Sequence, residues 1–229
     1  METSESPSPR AAASTPAPTA QAPDEPSPTT SSESGTVRLP PSEGVFDYQL
    51  GGEYDAVPTG QGERTPDVVV RDATAPAPHD GYGICYVNGF QTQPGESEEW
   101  AVSRNDLLLH DAEGTLVTDP SWPDEYVLDP STAEQRAGIL AAITPIIDGC
   151  ARAGFAAVEI DNLDTWTRFD RISRKGALAL ARAYVDHAHA AGLAIAQKNA
   201  AEIATVAHDD LGFDFAIAEE CAVWDECGA

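Results

Sequence analysis

The sequence predicts an α/β fold of parallel strands, arranged as a β/α barrel or the larger part of one. Three observations predict it. Apolar runs end again and again in polar residues, the pattern of strands buried on both faces. Amphipathic helical stretches separate the later runs, giving the order strand, helix, strand, helix, strand. In Ala157-Val158-Glu159-Ile160-Asp161-Asn162-Leu163-Asp164 two carboxylates alternate with Val158 and Ile160. Period 2 puts Glu159 and Asp161 on one strand face and the branched apolar residues on the other. In a β/α barrel one face meets an outer helix and the other looks inward toward a site. The blander reading makes Asp161 or Asp164 a helix cap.

Residues 1–43 are rich in Ser, Thr, Pro and Ala and poor in large apolar groups. Such a segment buries too little to offset the entropy of ordering, so it reads as a disordered tether to a domain at 44–229. Strands are predicted over 45–50, 67–72, 83–88, 156–161, 193–199 and 214–220, with a weaker one over 106–110. A helix over 132–153 carries Ile139, Leu140, Ile143, Ile146 and Ile147, with Ser131 or Thr132 as cap. Pro145 lies inside it and is expected to kink or divide it. A second helix over 173–191 carries Leu178, Leu180, Ala181, Tyr184 and Val185 and ends at Gly192. A short third helix is predicted over 200–207. Segment 111–131, with Trp122 and Pro123, reads as a long irregular loop beside a cleft. Seven strands suit a doubly wound open sheet, and equally a barrel without its last strand.

The chain holds 38 acidic residues against 13 Lys plus Arg, a net charge of −25. The first 44 residues contribute little of this, so the folded part is itself acidic. Such a surface repels nucleic acid and anionic lipid and attracts cations. A salt-adapted or merely soluble protein would show the same balance. No apolar run approaches the about 20 residues of a membrane span. The start, Met1-Glu2-Thr3-Ser4-Glu5, lacks the basic end and apolar core of a signal peptide. Cys85, Cys150, Cys221 and Cys227 are even in number, which suits two disulfides and an exported protein, and no CxxC spacing points to zinc.

Polar residues collect at the predicted strand ends: Asp47 and Gln49, Arg71 and Asp72, Asn88 and Gln91, Asp161 and Asn162, Lys198 and Asn199, Glu219 and Glu220. In a parallel α/β fold these ends share one rim. Tyr48, Tyr86, Phe90, Trp100, Trp122 and Trp166 fall near the same loops. Flat apolar platforms beside carboxylates and amides are what a sugar site needs, although any single aromatic serves equally well as core filling. Asp161 with Glu219 or Glu220 makes a carboxylate pair for cleavage of a glycosidic bond. No GxSxG, phosphate loop, dinucleotide fingerprint or HExxH occurs, and the five histidines do not gather at strand ends.

Five ordered segments carry a resemblance: Phe46 to Gly52, Ile84 to Gly89, Val158 to Asp164, Gln197 to Asn199, and Ala218 to Cys221 with Glu226-Cys227. Over residues 45–229 they look like glycoside hydrolase family 114, the endo-α-1,4-polygalactosaminidase family. The resemblance implies a TIM-type barrel, incomplete here because an eighth strand is expected beyond Ala229. It implies internal cleavage of galactosamine-containing polysaccharide, outside the cell or at its surface. It places the catalytic carboxylates on Asp161 and Glu219. The strand-end residues, with Tyr48, Tyr86, Trp122 and Asp164, form the candidate substrate-binding set. The resemblance also implies disulfides Cys85–Cys150 and Cys221–Cys227. No metal or cofactor, no nucleic-acid partner and a monomer are expected. Strand parity disagrees on one point: if Phe215 and Ile217 face the helices, Glu220 points inward and Glu219 outward. Competing expectations are a non-catalytic glycan-binding module on the same barrel, or an acidic α/β protein of another kind, such as an amidohydrolase. A deacetylated substrate would be a polycation, drawn to an acidic mouth in a salt-dependent way.

Overall fold

The computed structural model describes residues 37–224 and residue 227. Most of the expected tether, residues 1–36, lies outside the described residues. In chain order the strands and helices are β1 (Phe46–Gln49), β2 (Val57–Thr59), β3 (Gly62–Arg64), β4 (Val68–Asp72), β5 (Tyr82–Asn88), α1 (Ser97–Ser103), β6 (Thr118–Asp119), β7 (Trp122–Tyr126), α2 (Ala133–Ala153), β8 (Ala157–Asp161), α3 (Thr165–Arg168), α4 (Arg174–Ala190), β9 (Ala194–Lys198), α5 (Ala204–Val206), β10 (Phe215–Ile217) and α6 (Cys221–Trp224).

Six strands form one parallel sheet in the order β1-β4-β5-β8-β9-β10. It curls into a half-barrel, the incomplete barrel expected. Register sets the layers of the concave face. Tyr48, Val70, Ile84, Ala157 and Ala194 align across five strands. One layer higher, Asp72, Tyr86, Glu159, Ala196 and Phe215 align across five. Small alanines in the central strands leave room above them, and the next inward positions are Asn88, Asp161 and Lys198. The convex face carries Cys85, Val87, Val158, Ile160 and Ile195, packed against α2 and α4 in the main core.

Helix ends follow local chemistry. Thr132 and Gln135 form a reciprocal capping box at the start of α2, and Gly154 ends it in the left-handed region at φ 93°. Ser173 caps α4 through Gly176 N–H. A Cβ at Gly176 would lie 2.4 Å from the Pro130 carbonyl oxygen, so only glycine fits that crossing. Pro145 does not divide α2. It is exposed, as is Ala141 four residues earlier, so the carbonyl deprived of a donor reaches water.

Three local expectations fail. Segment 106–110 is no strand: a 3₁₀ turn over Asn105–Leu107 leads into isolated bridges at Leu108 and His110. Segment 111–131 is not wholly irregular, because β6 and β7 form an antiparallel ribbon. The third helix breaks into 3₁₀, α and π turns over 201–211. The β2–β3 hairpin, α1 and α3 carry too few apolar residues to have signalled themselves. Both disulfides are formed. Cys85–Cys150 clips β5 to α2, and Cys221–Cys227 closes a short loop just after Glu219-Glu220.

Candidate active site

The site grows out of β8 and β9. Their concave-face residues end in Glu159 and Asp161 on one strand and Lys198 on the other. Lys198 Nζ lies 2.9 Å from Glu159 Oε1, 3.4 Å from Glu219 Oε2 and 4.0 Å from Asp161 Oδ1. It also donates to Tyr48 Oη at 2.9 Å and sits over the Tyr48 and Tyr86 rings. Tyr48 in turn donates to Glu159. Burial opposes the Lys198 charge, but Glu159, Asp161 and Glu219 together outweigh it and raise its pKa. The ammonium is therefore kept.

Asp161 is held by directed donors. Tyr86 Oη donates to its Oδ2 at 2.7 Å, and Asn162 N–H donates to its Oδ1 at 2.8 Å. Burial and the Asp161 charge push the Tyr86 hydroxyl far above its usual range, so it remains a donor at every working pH. Glu219 differs: its side chain is 55% exposed, against 21% for Asp161. Its N–H donates to Asn199 Oδ1 at 2.8 Å, which ties the chain after β10 to the end of β9. Since Asp161 and Glu219 flank one ammonium, their nearest oxygens lie within the sum of 4.0 and 3.4 Å. That is inside the roughly 9.5 Å limit for two carboxyls working on one glycosidic bond.

Among the described residues four outside glycine adopt positive φ, namely Asn162, Asn199, Ala200 and Glu220, and all stand at or just past the ends of β8, β9 and β10. Left-handed backbone at non-glycine residues costs energy and concentrates at functional sites. Buried Gln197 supports one such turn by donating to the carbonyls of Asn199 and Ala200 at 2.6 and 2.8 Å.

The parity expectation for β10 is corrected. Phe215 and Ile217 do not face helices. They pack on the concave side with Val68, Val70, Tyr82 and Ile84, while Ala216 on the other side is exposed. Inverting that premise sends Glu219 toward Lys198. Glu220 is exposed, at φ 52°.

A second layer surrounds this hub. Asn88 donates to Glu125 Oε2 at 2.8 Å and accepts from Asn162 Nδ2 at 3.0 Å. Gln91 donates to Asp119 at 2.9 Å. Arg168 bridges Asn162 at 2.8 Å with Asp119 and Asp164, each at 3.6 Å. Asp164 precedes α3 but makes no side-chain cap bond. Glu125 and Asp119 come from the β6–β7 ribbon, and Glu125 lay beyond sequence reasoning because nothing local marked that ribbon. Burial pushes the Glu125 carboxyl up; Asn88 opposes this, while Asp161 and Asp119 add to it.

Not every strand-end residue joins the site. Gln49 and Arg71 are register partners on the convex side. Gln49 bonds Asp47, Tyr54 and Arg71, and Arg71 bonds the Pro76 carbonyl. These three hold loops, with their backs to Glu159. Asp72 accepts from Thr74 and Gln93 at the rim. Among the aromatics, Phe90 and Trp100 are buried core, whereas Trp122 is 61% exposed on β7.

The family model described as glycoside-hydrolase family GH114 matches residues 26–229. No curated protein matches the sequence. Among solved structures, Aspergillus fumigatus Ega3 in complex with galactosamine is similar at a TM-score of 0.64 and 19% identity, over 84% of this chain and 74% of that one. The glycoside hydrolase domain of PelA from Pseudomonas aeruginosa aligns at a TM-score of 0.47 and 15% identity, over 76% of this chain and 66% of that one. The Ega3 likeness establishes the shared barrel fold, and the family match over nearly the whole chain establishes more: this chain is a glycoside hydrolase and belongs to family GH114.

Proposed function

We propose that the chain cleaves galactosamine-containing polysaccharide at internal α-1,4 linkages, with Asp161 and Glu219 as the reacting carboxylates. One observation carries the reading: an acid at the end of β8 and another just after β10 flank a single buried ammonium. The galactosamine held by Ega3 supports the sugar class. Asp161, fixed by two hydrogen bonds and close to Lys198, suits the ionised carboxylate that meets the anomeric carbon or its water. Glu219, more exposed, suits the acid that protonates the leaving oxygen and exchanges that proton with solvent. Tyr48, Tyr86, Asn162 and exposed Trp122 supply ring faces and hydroxyl partners for neighbouring sugars, and buried Asn88 holds Asn162 in place. With the acidic surface, these carboxylates favour a free-amine, cationic polymer. Two disulfides support work outside the cytosol. Among the described residues no helix is long and apolar enough to cross a membrane.

The test is product analysis after incubating the full chain with partly deacetylated galactosaminogalactan. Wild type should release short oligosaccharides, and Asp161→Asn should bind without releasing any. Binding without cleavage by wild type would leave a glycan-binding module instead.

A further inference from the structure

Glu159 is a carboxylate that the reaction as written does not use. It lies one layer below Asp161 on the same strand face, and its side chain is 0% exposed. One oxygen receives Lys198 and Tyr48; the other, Oε2, is buried without a partner among the described residues. A buried charge of this kind is costly unless paired. Among the described residues its only cationic contact is Lys198, whose side chain is 2% exposed and whose ammonium also faces both reacting carboxylates. An ammonium placed there alone would favour the ionised form of each acid it faces, Glu219 included, although one of the pair must hold a proton.

Building on the proposed function above, we propose that Glu159 is a positioning residue that acts through Lys198: it anchors the ammonium between Asp161 and Glu219 and offsets its charge, so that one acid stays ionised while the other keeps its proton. The groups around this pair are Tyr48 on β1, Tyr86 on β5, Asp161 on β8 and Glu219 after β10, with Glu125 of β7 beside Asp161 from the ribbon; Asp72 of β4 shares their register layer and is held by Gln93. Burial pushes the Glu159 carboxyl up, against the pull of Lys198 and Tyr48, so its ionised form depends on that pairing.

The experiment is a double-mutant cycle on the full chain, reading kcat/KM against pH for wild type, Glu159→Gln, Lys198→Met and the double variant. Glu159→Gln leaves the ammonium uncompensated and should move the alkaline limb to lower pH. Lys198→Met should move it to higher pH. In the Lys198→Met background, Glu159→Gln should change plateau kcat/KM less than about twofold, because the ammonium it anchors is gone, and should return the limb toward its wild-type position. Limbs that stay in place, or losses that multiply in the cycle, overturn the proposal. Should a single variant fail to fold, shown by loss of its melting transition, the double variant decides, since exchanging a buried ion pair for neutral groups is tolerated. A double variant whose limb is displaced from the wild-type position overturns the proposal, because removing both charges together leaves their offset unchanged. Absence of cleavage by wild type would instead remove the glycosidase reading itself.

Discussion

Tyr86 on β5 donates its phenolic proton to Asp161 Oδ2 on β8 at 2.7 Å, between adjacent strands of the half-barrel. Tyr86→Phe keeps the ring over Lys198 and removes only that donor. A bond to a charged acceptor contributes about 1.5–3 kcal/mol, so kcat/KM should fall roughly 10- to 100-fold. The melting temperature, followed by circular dichroism, should move by only a few degrees.

Neighbouring acids should separate cleanly. Glu219 lies 3.4 Å from Lys198, whereas Glu220 is exposed in a left-handed turn. Glu219→Gln is expected to lower kcat by about 10²- to 10⁴-fold, the range for a positioned acid or base. Glu220→Gln should stay within about threefold. Initial rates on one oligosaccharide check both, and a large loss at Glu220 would reverse the assignment.

The two disulfides should act on different quantities. Cys85–Cys150 spans 65 residues, and chain-entropy reasoning gives about 4 kcal/mol for a closed loop of that size. Replacing both of its cysteines by Ser should lower the denaturation midpoint strongly. Cys221–Cys227 spans six residues and contributes about 2 kcal/mol by the same reasoning. It begins two residues after Glu219, so its removal should cost more in kcat than in stability. Denaturant melts and rate measurements on each pair distinguish the outcomes.

Stability should fall as pH rises through the upper part of the carboxylate range. Burial raises the Glu125 carboxyl, so the native state binds this proton more tightly than the unfolded chain does. That contribution is fully present below the unfolded value and is lost as pH climbs through the native one. Glu159 adds a term of the same sign. Glu125→Gln should flatten the slope of unfolding free energy against pH in that window, and an unchanged slope would contradict it.

Substrate attraction should be ionic. With a net charge of −25 on the chain, KM for a deacetylated oligomer should rise several-fold between low salt and about 0.5 M NaCl. A fully acetylated oligomer should show little change.

The amino-acid order by itself determined the parallel strands, the two long helices and the alternation that turns Glu159 and Asp161 to one face, because a period of 2 or 3.6 is a local property of the chain. It also marked the strand-end polar residues as a class. Only the tertiary structure decided which of them meet. Asp47, Gln49 and Arg71 share the strand-end pattern with Lys198, yet strand register turns them to the convex side. Glu219 was separated from Glu220 by the packing of Phe215 and Ile217 against the concave face of distant strands. Glu125 entered through a ribbon whose position over Asn88 depends on contacts 37 residues apart. Local periodicity says which side of an element is apolar; what stands opposite that side is set by long-range packing and sheet curl.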